Sequence, residues 1–147
     1  MSKLNHVIAF DDAPFSSTHR GGVAVVGAIY ADRRLEGVLL TKVRRDGANA
    51  TAALAKAVLG SRHYRHLRLI MLQGIALAGF NVVDINALAA QTRLPVLVVS
   101  RLKPDPEAVQ RALLARVPGG RRKRRLVKQA GTSTLVAGLW IQHAGYD

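Results

Sequence analysis

The segment Ile70-Met-Leu-Gln-Gly-Ile-Ala-Leu-Ala-Gly-Phe-Asn-Val-Val-Asp84 joins an apolar strand to a polar loop and then to a helix. The apolar residues at its start predict a strand over Leu67–Leu72, which Gln73 and Gly74 end. Asn81 and Asp84 have the spacing of a capping box in front of a helix, with Asp in place of the usual Glu. Because a strand followed by a helix is the unit from which parallel sheets are built, this segment predicts an α/β fold.

Three further strands precede this segment, and helices alternate with strands after it. Short connections between the first three strands predict an antiparallel meander, and the crossover helices make the fourth and fifth strands parallel to the first. In chain order we predict strands over His6–Phe10, Val23–Tyr30 and Leu35–Val43, a helix over Asn49–Leu59, the strand Leu67–Leu72, a helix beginning near Asp84, the strand Pro95–Ser100, a helix from Asp105 to about Arg116, and a last strand over Leu135–Gln142.

The charge of the chain indicates a polyanionic partner. The 147 residues include 22 Lys and Arg against 9 Asp and Glu, which gives a formal net charge of +13. A hydrophobic fraction of 49% is typical of a folded core and argues against a disordered basic tail. No Asp or Glu occurs from Ala108 to Tyr146, where eight basic residues lie. We therefore expect nucleic acid as the partner.

Several classes of site and location are excluded by composition. The chain has no cysteine, so disulfides, thiolate zinc sites and a cysteine nucleophile are absent, and we expect a cytoplasmic protein. The longest apolar run, Val23–Ala31, is too short to span a bilayer, so we expect no membrane association. We divide the chain into a core over residues 1–117 and a basic tract with a C-terminal strand over residues 118–147, both within one domain.

The carboxyl ends of the first and fourth strands are expected to lie side by side. Ligands bind in such sheets beyond the carboxyl ends of the strands, where the strand order reverses. Asp11 and Asp12 follow the first strand, Asp46 follows the third, and the loop after the fourth strand contributes Gln73, Gly74, Gly79, Phe80, Asn81 and Asp84. The alternatives are turn residues at Asp11, Asp12 and Asp46 and helix caps at Asn81 and Asp84. Adjacent residues of a strand also point to opposite sides, so Asp11 and Asp12 do not easily face one metal ion.

A second set of candidate residues is basic. Phosphate contact is favoured over a plain solvated loop because no acidic residue balances the tract. The candidate nucleic-acid-binding residues are Lys42, Arg101, Arg121, Arg122, Lys123, Arg124, Arg125 and Lys128.

Several blocks of the chain also carry a resemblance to a known family. The strand and helix order is that of the ribonuclease H-like fold. The blocks that resemble the uncharacterised domain-of-unknown-function family 99 are Ile8-Ala-Phe-Asp-Asp-Ala-Pro-Phe15, Gly37-Val-Leu-Leu-Thr-Lys-Val43, Asp46-Gly-Ala-Asn-Ala-Thr51, Ile70–Asp84, Leu94-Pro-Val-Leu-Val-Val99 and Lys103-Pro-Asp105. That family is similar to endonuclease V, a metal-dependent nuclease. The blocks cover the chain to about Leu114, and the resemblance implies a ribonuclease H-like mixed sheet with helices packed on it.

The resemblance implies a partial metal site. It places the first metal carboxylate at Asp11 or Asp12 and the second near Asp46, but the third falls on the neutral Gln73. Two Mg²⁺ ions need several facing carboxylates, whereas one Mg²⁺ or Mn²⁺ on Asp11 and Asp12 with waters is compatible with this set. The lysine after the fifth strand of endonuclease V falls near Arg101, and its Tyr-Pro wedge has no counterpart here.

Two functions from different classes follow from these observations. We expect a nucleic-acid-binding protein on an endonuclease V-like scaffold without ordinary two-metal cleavage. The alternative is a Mg²⁺- or Mn²⁺-dependent nuclease that acts on DNA or RNA through Asp11, Asp12 and Asp46. A third hypothesis is a small-molecule or partner-binding module whose basic tract only raises solubility. The resemblance also implies a closing helix after the last strand, and a homo-oligomer is kept as an alternative to a monomer.

Overall fold

The fold is a mixed sheet of seven strands with helices packed on it. The computed structural model describes residues 5–145, and of residues 115 and 116 the backbone alone. Its strands are β1 (His6–Asp12), β2 (Gly22–Ala31), β3 (Arg34–Arg44), β4 (Leu69–Gln73), β5 (Ala76–Leu77), β6 (Asn81–Val82), β7 (Val96–Ser100), β8 (Thr134–Val136) and β9 (Leu139–Ala144). Its α-helices are α1 (Ala50–Leu59), α2 (Ile85–Thr92), α3 (Pro106–Arg116) and α4 (Gly120–Gln129), with a 3₁₀ turn over Tyr64–His66.

The strand order in the large sheet is β3-β2-β1-β4-β7-β9-β8. Strands β1, β2 and β3 form the predicted antiparallel meander, and β4 and β7 run parallel to β1. Strand β9 pairs antiparallel with β7, and β5 pairs with β6 in a separate small hairpin. The predicted fold class, a mixed α/β sheet in which β1 joins the meander to the parallel part, is confirmed.

The two faces of the sheet differ in burial. Ile8 and Phe10 point to the face that α1 and α2 cover, where they pack with Leu54, Ile70 and Leu88. This alternation is the pattern expected of a strand with one face in the core.

The opposite face of the sheet is less covered. The register places Ala9 beside Ala28, which pairs with Val38, and it places Val26 beside Leu40. Val26, Val38 and Leu40 are exposed by 36%, 53% and 74%, and we call this side the open face. Within residues 5–145 no helix is long and apolar enough to cross a membrane.

The C-terminal part contains more structure than the sequence indicated. The predicted last strand over Leu135–Gln142 is two strands, β8 and β9, which form a hairpin. The basic tract folds as α4, whose buried residues are Lys123 and Leu126. The closing helix implied by the resemblance would follow residue 145 and lies outside the described residues.

The start of α2 corrects the predicted capping box. The N-cap is Asp84, whose side chain accepts a hydrogen bond from the main-chain N–H of Ala87 over 3.0 Å. Asn81 is not the cap, because its side chain is buried among other main-chain groups.

Candidate functional site

The predicted strand-end residues Asp11 and Gln73 lie next to each other on the open face. Phe10 of β1 is in register with Leu72 of β4, so Asp11 and Gln73 follow as the next positions on two adjacent parallel strands. Gln73 is in register with Val99 of β7. Asp11, Gln73 and Val99 therefore form one row across the sheet, and the adjacent row consists of Ala9, Met71 and Leu97.

A cavity of about 440 Å³ opens at these strand ends. Most of its lining is apolar, and its three polar side chains come from the ends of β1 and β4 and from the residue that follows β7. The lining residues are Ala9, Phe10, Asp11, Met71, Leu72, Gln73, Val99, Arg101 and Leu139. An apolar concavity of this size with a few polar groups is the usual form of a ligand site.

Asp11 presents its carboxylate at this cavity. Its Oδ1 accepts a hydrogen bond from the main-chain N–H of Asp12 over 2.9 Å, and the side chain reaches solvent. Partial desolvation raises the pKa of the Asp11 carboxyl above its ordinary value, while the N–H of Asp12 opposes this shift. The neighbouring Asp12 carboxyl raises the pKa further. A carboxylate with a raised pKa is a better proton acceptor than an ordinary one.

Asp12 does not line the cavity and instead contacts a neighbouring loop. Its Oδ2 accepts a hydrogen bond from the main-chain N–H of Ala78 over 2.6 Å. Ala78 belongs to residues 74–82, which we call the strand-end loop and which contain the β5–β6 hairpin. Asp11 lines the cavity and Asp12 fixes the loop, although the two carboxyls lie close enough for Asp12 to raise the pKa of Asp11.

Asp46 also fixes the strand-end loop. Its Oδ1 accepts a hydrogen bond from the main-chain N–H of Phe80 over 2.8 Å, and its own N–H donates to the carbonyl of Ala78 over 2.9 Å. Gly79 lies between these two contacts with a φ of +82°, and a Cβ there would overlap Oδ1 of Asp46. Asp46 thus connects the end of β3 to the loop over the strand ends.

Asn81 joins three segments beneath the loop and is fully buried. Its Oδ1 accepts from the N–H of Ala50 over 3.0 Å, which satisfies a main-chain donor at the start of α1. Its Nδ2 donates to the carbonyl of Arg44 over 2.9 Å and to Oδ1 of Asn49 over 2.8 Å. The sequence predicted Asn81 as a strand-end loop residue or a helix cap, and it did not predict these hydrogen bonds to β3 and α1.

Lys123 differs from its basic neighbours because it is buried. Only 1% of it is exposed, and its Nζ donates to the main-chain carbonyl of Asp46 over 2.5 Å. Burial lowers the pKa of Lys123, while the Asp46 carboxylate acts in the opposite direction. The Lys123 ammonium group therefore holds α4 against Asp46 and is not exposed at the surface where DNA phosphates would bind.

The remaining basic residues of the tract are at the surface. Leu126 packs inward beside Lys123, which fixes the rotation of α4 about its own axis. The exposed basic residues of the helix, which we call the α4 basic face, are Arg121, Arg122, Arg124, Arg125 and Lys128. Arg101 and Lys42 are exposed as well, at the cavity and on β3 respectively. A helical spacing of three between Lys123 and Leu126 was the one sequence signal for this arrangement.

The carboxylates do not form a two-metal centre. In the described part of the chain, no group of three or more His, Cys, Asp or Glu side chains could hold a metal ion. Asp12 and Asp46 accept hydrogen bonds from the strand-end loop, and Gln73 offers a neutral amide beside Asp11. Two divalent ions need several facing carboxylates, so this donor set does not fit a pair of Mg²⁺ ions.

Comparison with known proteins yields a family and two close relatives. Residues 3–147 match the model of a family described as endonuclease dU. A UPF0215 protein of Deinococcus radiodurans is 54% identical over 143 residues, which cover 97% of this chain and 73% of that protein. The crystal structure of a protein of unknown function from Archaeoglobus fulgidus has a TM-score of 0.89 at 33% identity and covers 97% of this chain and 79% of that one.

A more distant structural neighbour has a described activity. Endonuclease V of Ciona intestinalis, solved with a 24mer DNA that contains an inosine followed by a ribo-adenosine, has a TM-score of 0.50 at 12% identity. The match covers 96% of this chain and 71% of that protein. The likeness confirms the endonuclease V-like scaffold.

Proposed function

This chain belongs to the endonuclease dU family, and we therefore propose that it binds DNA and hydrolyses a phosphodiester bond beside a deoxyuridine. The observation that carries the proposal is the Asp11 carboxylate, which stands at the carboxyl end of β1 in a cavity shared with Gln73 and Arg101. This is the position at which open sheets of this kind place their ligands.

Two side chains at the cavity supply the chemistry. Asp11 accepts a proton from a water molecule as the water oxygen bonds to phosphorus, and the raised pKa of this carboxyl suits the task. The bond from phosphorus to the leaving sugar oxygen breaks, and that oxygen takes a proton from solvent. The Arg101 guanidinium lies at the same cavity and stabilises the charge that develops on the phosphoryl oxygens.

A divalent ion would have a limited place in this site. The two-ion arrangement does not fit, but one Mg²⁺ or Mn²⁺ commonly uses only one or two protein carboxylates together with water and phosphate oxygens. The exposed carboxylate of Asp11 is the donor that the cavity offers to such an ion. If cleavage requires a divalent ion, Asp11 acts as a ligand of that ion. If cleavage continues in EDTA, Asp11 acts as the proton acceptor.

The α4 basic face supplies sequence-independent affinity for DNA in this proposal. Its side chains point to solvent, because Lys123 and Leu126 occupy the buried side of the helix. Contacts from Arg and Lys to phosphates position a protein on a duplex without recognising bases. Lys42, on the exposed side of β3, adds a further positive charge to the protein surface.

A second candidate function is DNA or RNA binding without cleavage. The hydrogen bonds of Asp12 and Asp46 to main-chain N–H groups favour it, since they engage two of the three candidate carboxylates Asp11, Asp12 and Asp46. In this case the strand ends would serve recognition, and the basic face would supply most of the affinity.

A cleavage assay on matched duplexes separates the two functions. Labelled DNA that contains deoxyuridine or thymidine at one position is incubated with the protein in Mg²⁺, Mn²⁺ or EDTA. We expect strand cleavage at deoxyuridine that Asp11→Asn abolishes. Asp32→Asn, which removes a carboxylate from the exposed turn between β2 and β3, is the control and should cleave normally. Salt-sensitive binding without cleavage by the wild type would instead support the second function.

A further inference from the structure

The β8–β9 hairpin ends in an exposed apolar tip. The tip, Leu135-Val-Ala-Gly-Leu139, includes no charged or polar side chain. Leu135, Val136 and Leu139 are exposed by 55%, 48% and 38%. Ala137 and Gly138 both have a positive φ, which makes the connection a type I′ turn. Such turns normally have Asn, Asp or Gly at the first of these two positions, so the alanine keeps the tip apolar where a polar residue fits the backbone better.

The tip lies at the edge of the sheet that carries Asp11. Strand β9 is antiparallel to β7, and Trp140 is in register with Ser100 at the carboxyl end of β7. The residues before Trp140 therefore extend beyond the strand ends at which Asp11 lies. Leu139 lines the cavity, and Val136 is its cross-strand partner. Since facing residues of two paired strands lie on the same side of the sheet, Val136 is on the cavity side as well.

A second groove lies on the other side of the hairpin. Gln142 is three residues beyond Leu139 on β9, so its side chain points to the opposite side of the sheet. It borders a groove of about 320 Å³ between α3 and α4, to which Lys103 and Lys128 also contribute. The Lys103 ammonium group lies 5.3 Å from the centre of the Trp140 ring. Among the described residues that line this groove none is acidic, so the groove favours an anion.

We propose that the β8–β9 hairpin inserts into duplex DNA and separates its strands, with one strand in the cavity and the other in the groove of Lys103 and Lys128. The inference rests on the duplex binding in the proposed function and adds an interaction surface outside the cavity. Apolar side chains can enter a base step and unstack it, whereas charged side chains would lose their hydration there. Arg101 on one side of the tip and Lys103 on the other then contact the phosphates of the two strands.

The charge beside the tip favours DNA over a second copy of this chain. A symmetric contact between two hairpins would bring Arg101, Lys103 and Lys128 of both copies together, and like charges across an interface oppose association. The tip also offers only three exposed large side chains, whereas a stable protein interface uses about 20 to 30 residues on each side. Phosphates on both sides of an inserted tip instead match the surrounding charge.

The experiment measures base unstacking in EDTA, which keeps it independent of cleavage. The probe is a duplex with one dU opposite dG and with 2-aminopurine next to that dG, because the emission of 2-aminopurine rises when the base is unstacked. We expect saturating wild-type protein to raise this emission. The double variant Leu135→Thr with Val136→Thr should lose most of the rise at saturation, which anisotropy confirms in the same titration. Threonine keeps the β propensity of the strand but removes apolar surface.

The matched control is the double variant Tyr30→Thr with Leu35→Thr. These exposed residues also face each other near a hairpin turn, but they lie at the opposite end of the sheet, and the control should keep the full rise. A folding defect is excluded in two ways. The replaced side chains are exposed, so the unfolding temperature should stay at the wild-type value. The single variant Val136→Thr does not face Trp140, so it should keep the tryptophan emission and still lose part of the rise.

The outcomes separate this inference from the proposed function. A rise of wild-type size in the Leu135→Thr, Val136→Thr variant, or no rise in a wild type that binds the duplex, would overturn strand separation by the hairpin, whether or not the protein cleaves. A wild type that sediments as a dimer, with this variant a monomer, would assign the tip to contact between copies and overturn it too. If the wild type raises the emission but does not cleave at deoxyuridine, the hairpin inference stands and the nuclease proposal fails. If the wild type binds no duplex at low salt, both fail.

Discussion

Replacing Asn81 with leucine should lower the free energy of unfolding by about 4 to 6 kcal/mol. The side chain is fully buried and makes three hydrogen bonds, to the N–H of Ala50, the carbonyl of Arg44 and the side chain of Asn49. Each lost bond costs about 1 kcal/mol, and main-chain groups left buried without partners add about 1 to 3 kcal/mol more. The total is a large fraction of the stability of a typical domain, which is about 5 to 15 kcal/mol.

Urea denaturation followed by circular dichroism measures this change. Leucine has the same side-chain branching and number of heavy atoms as asparagine and larger terminal groups, so the substitution leaves no cavity and the loss does not report on one. Asn86→Leu is the control, since the exposed Asn86 side chain makes one long bond of 3.4 Å to the carbonyl of Gln129 and should cost under about 0.5 kcal/mol. A loss below about 1 kcal/mol for Asn81→Leu would refute the role of this side chain as the junction between β3, α1 and the strand-end loop.

Three further predictions concern the loop, the basic face and the cavity. Gly79→Ala should destabilise the protein more than Gly74→Ala in thermal unfolding, because both glycines have a φ of +82° but only Gly79 has a neighbour that a Cβ would overlap; equal losses would contradict this packing. The double variant Arg121→Ala with Arg125→Ala removes two phosphate contacts and should reduce the slope of the logarithm of the DNA association constant against log salt by about 1.8. An unchanged slope would show that these two side chains of α4 do not contact the DNA. The single-turnover cleavage rate should rise with pH through a pKa above the ordinary aspartate value of about 3.9, since desolvation raises the pKa of Asp11; a rate independent of pH between 4 and 8 would exclude Asp11 as the proton acceptor.

The sheet and the place of the site could be predicted from the sequence for a simple reason. Short apolar runs define β1, β4 and β7, and the crossover rule makes them parallel neighbours. Residues directly after parallel strands meet at one edge, which is why Asp11 and Gln73 are adjacent. Strand alternation also predicted that Asp11 and Asp12 do not easily face one metal ion; Asp11 lines the cavity, and Asp12 accepts a hydrogen bond from the strand-end loop.

The fold of the basic tract could not be predicted in the same way. Helix α4 has only two large apolar residues, Leu126 and Val127, and one of its two buried residues is Lys123, whose ammonium group donates to the main-chain carbonyl of Asp46. The partner of a buried lysine is normally sought among carboxylates. Every residue has a main-chain carbonyl, so the sequence does not indicate which one accepts the hydrogen bond. The structural roles of Asp46 and Asn81 could not be predicted for the same reason, because their hydrogen-bond partners are mainly main-chain groups.

The central claim is that the Asp11 carboxylate performs chemistry on DNA at deoxyuridine. The most direct measurement is the single-turnover rate of strand cleavage on a duplex with one deoxyuridine, for wild type and Asp11→Asn at equal saturation. We predict cleavage beside the deoxyuridine, a loss of at least about a hundredfold in Asp11→Asn, as for removal of a general base, and unchanged affinity for the duplex. Equal rates for the two proteins, or no cleavage by the wild type in Mg²⁺, Mn²⁺ or EDTA, would contradict the claim.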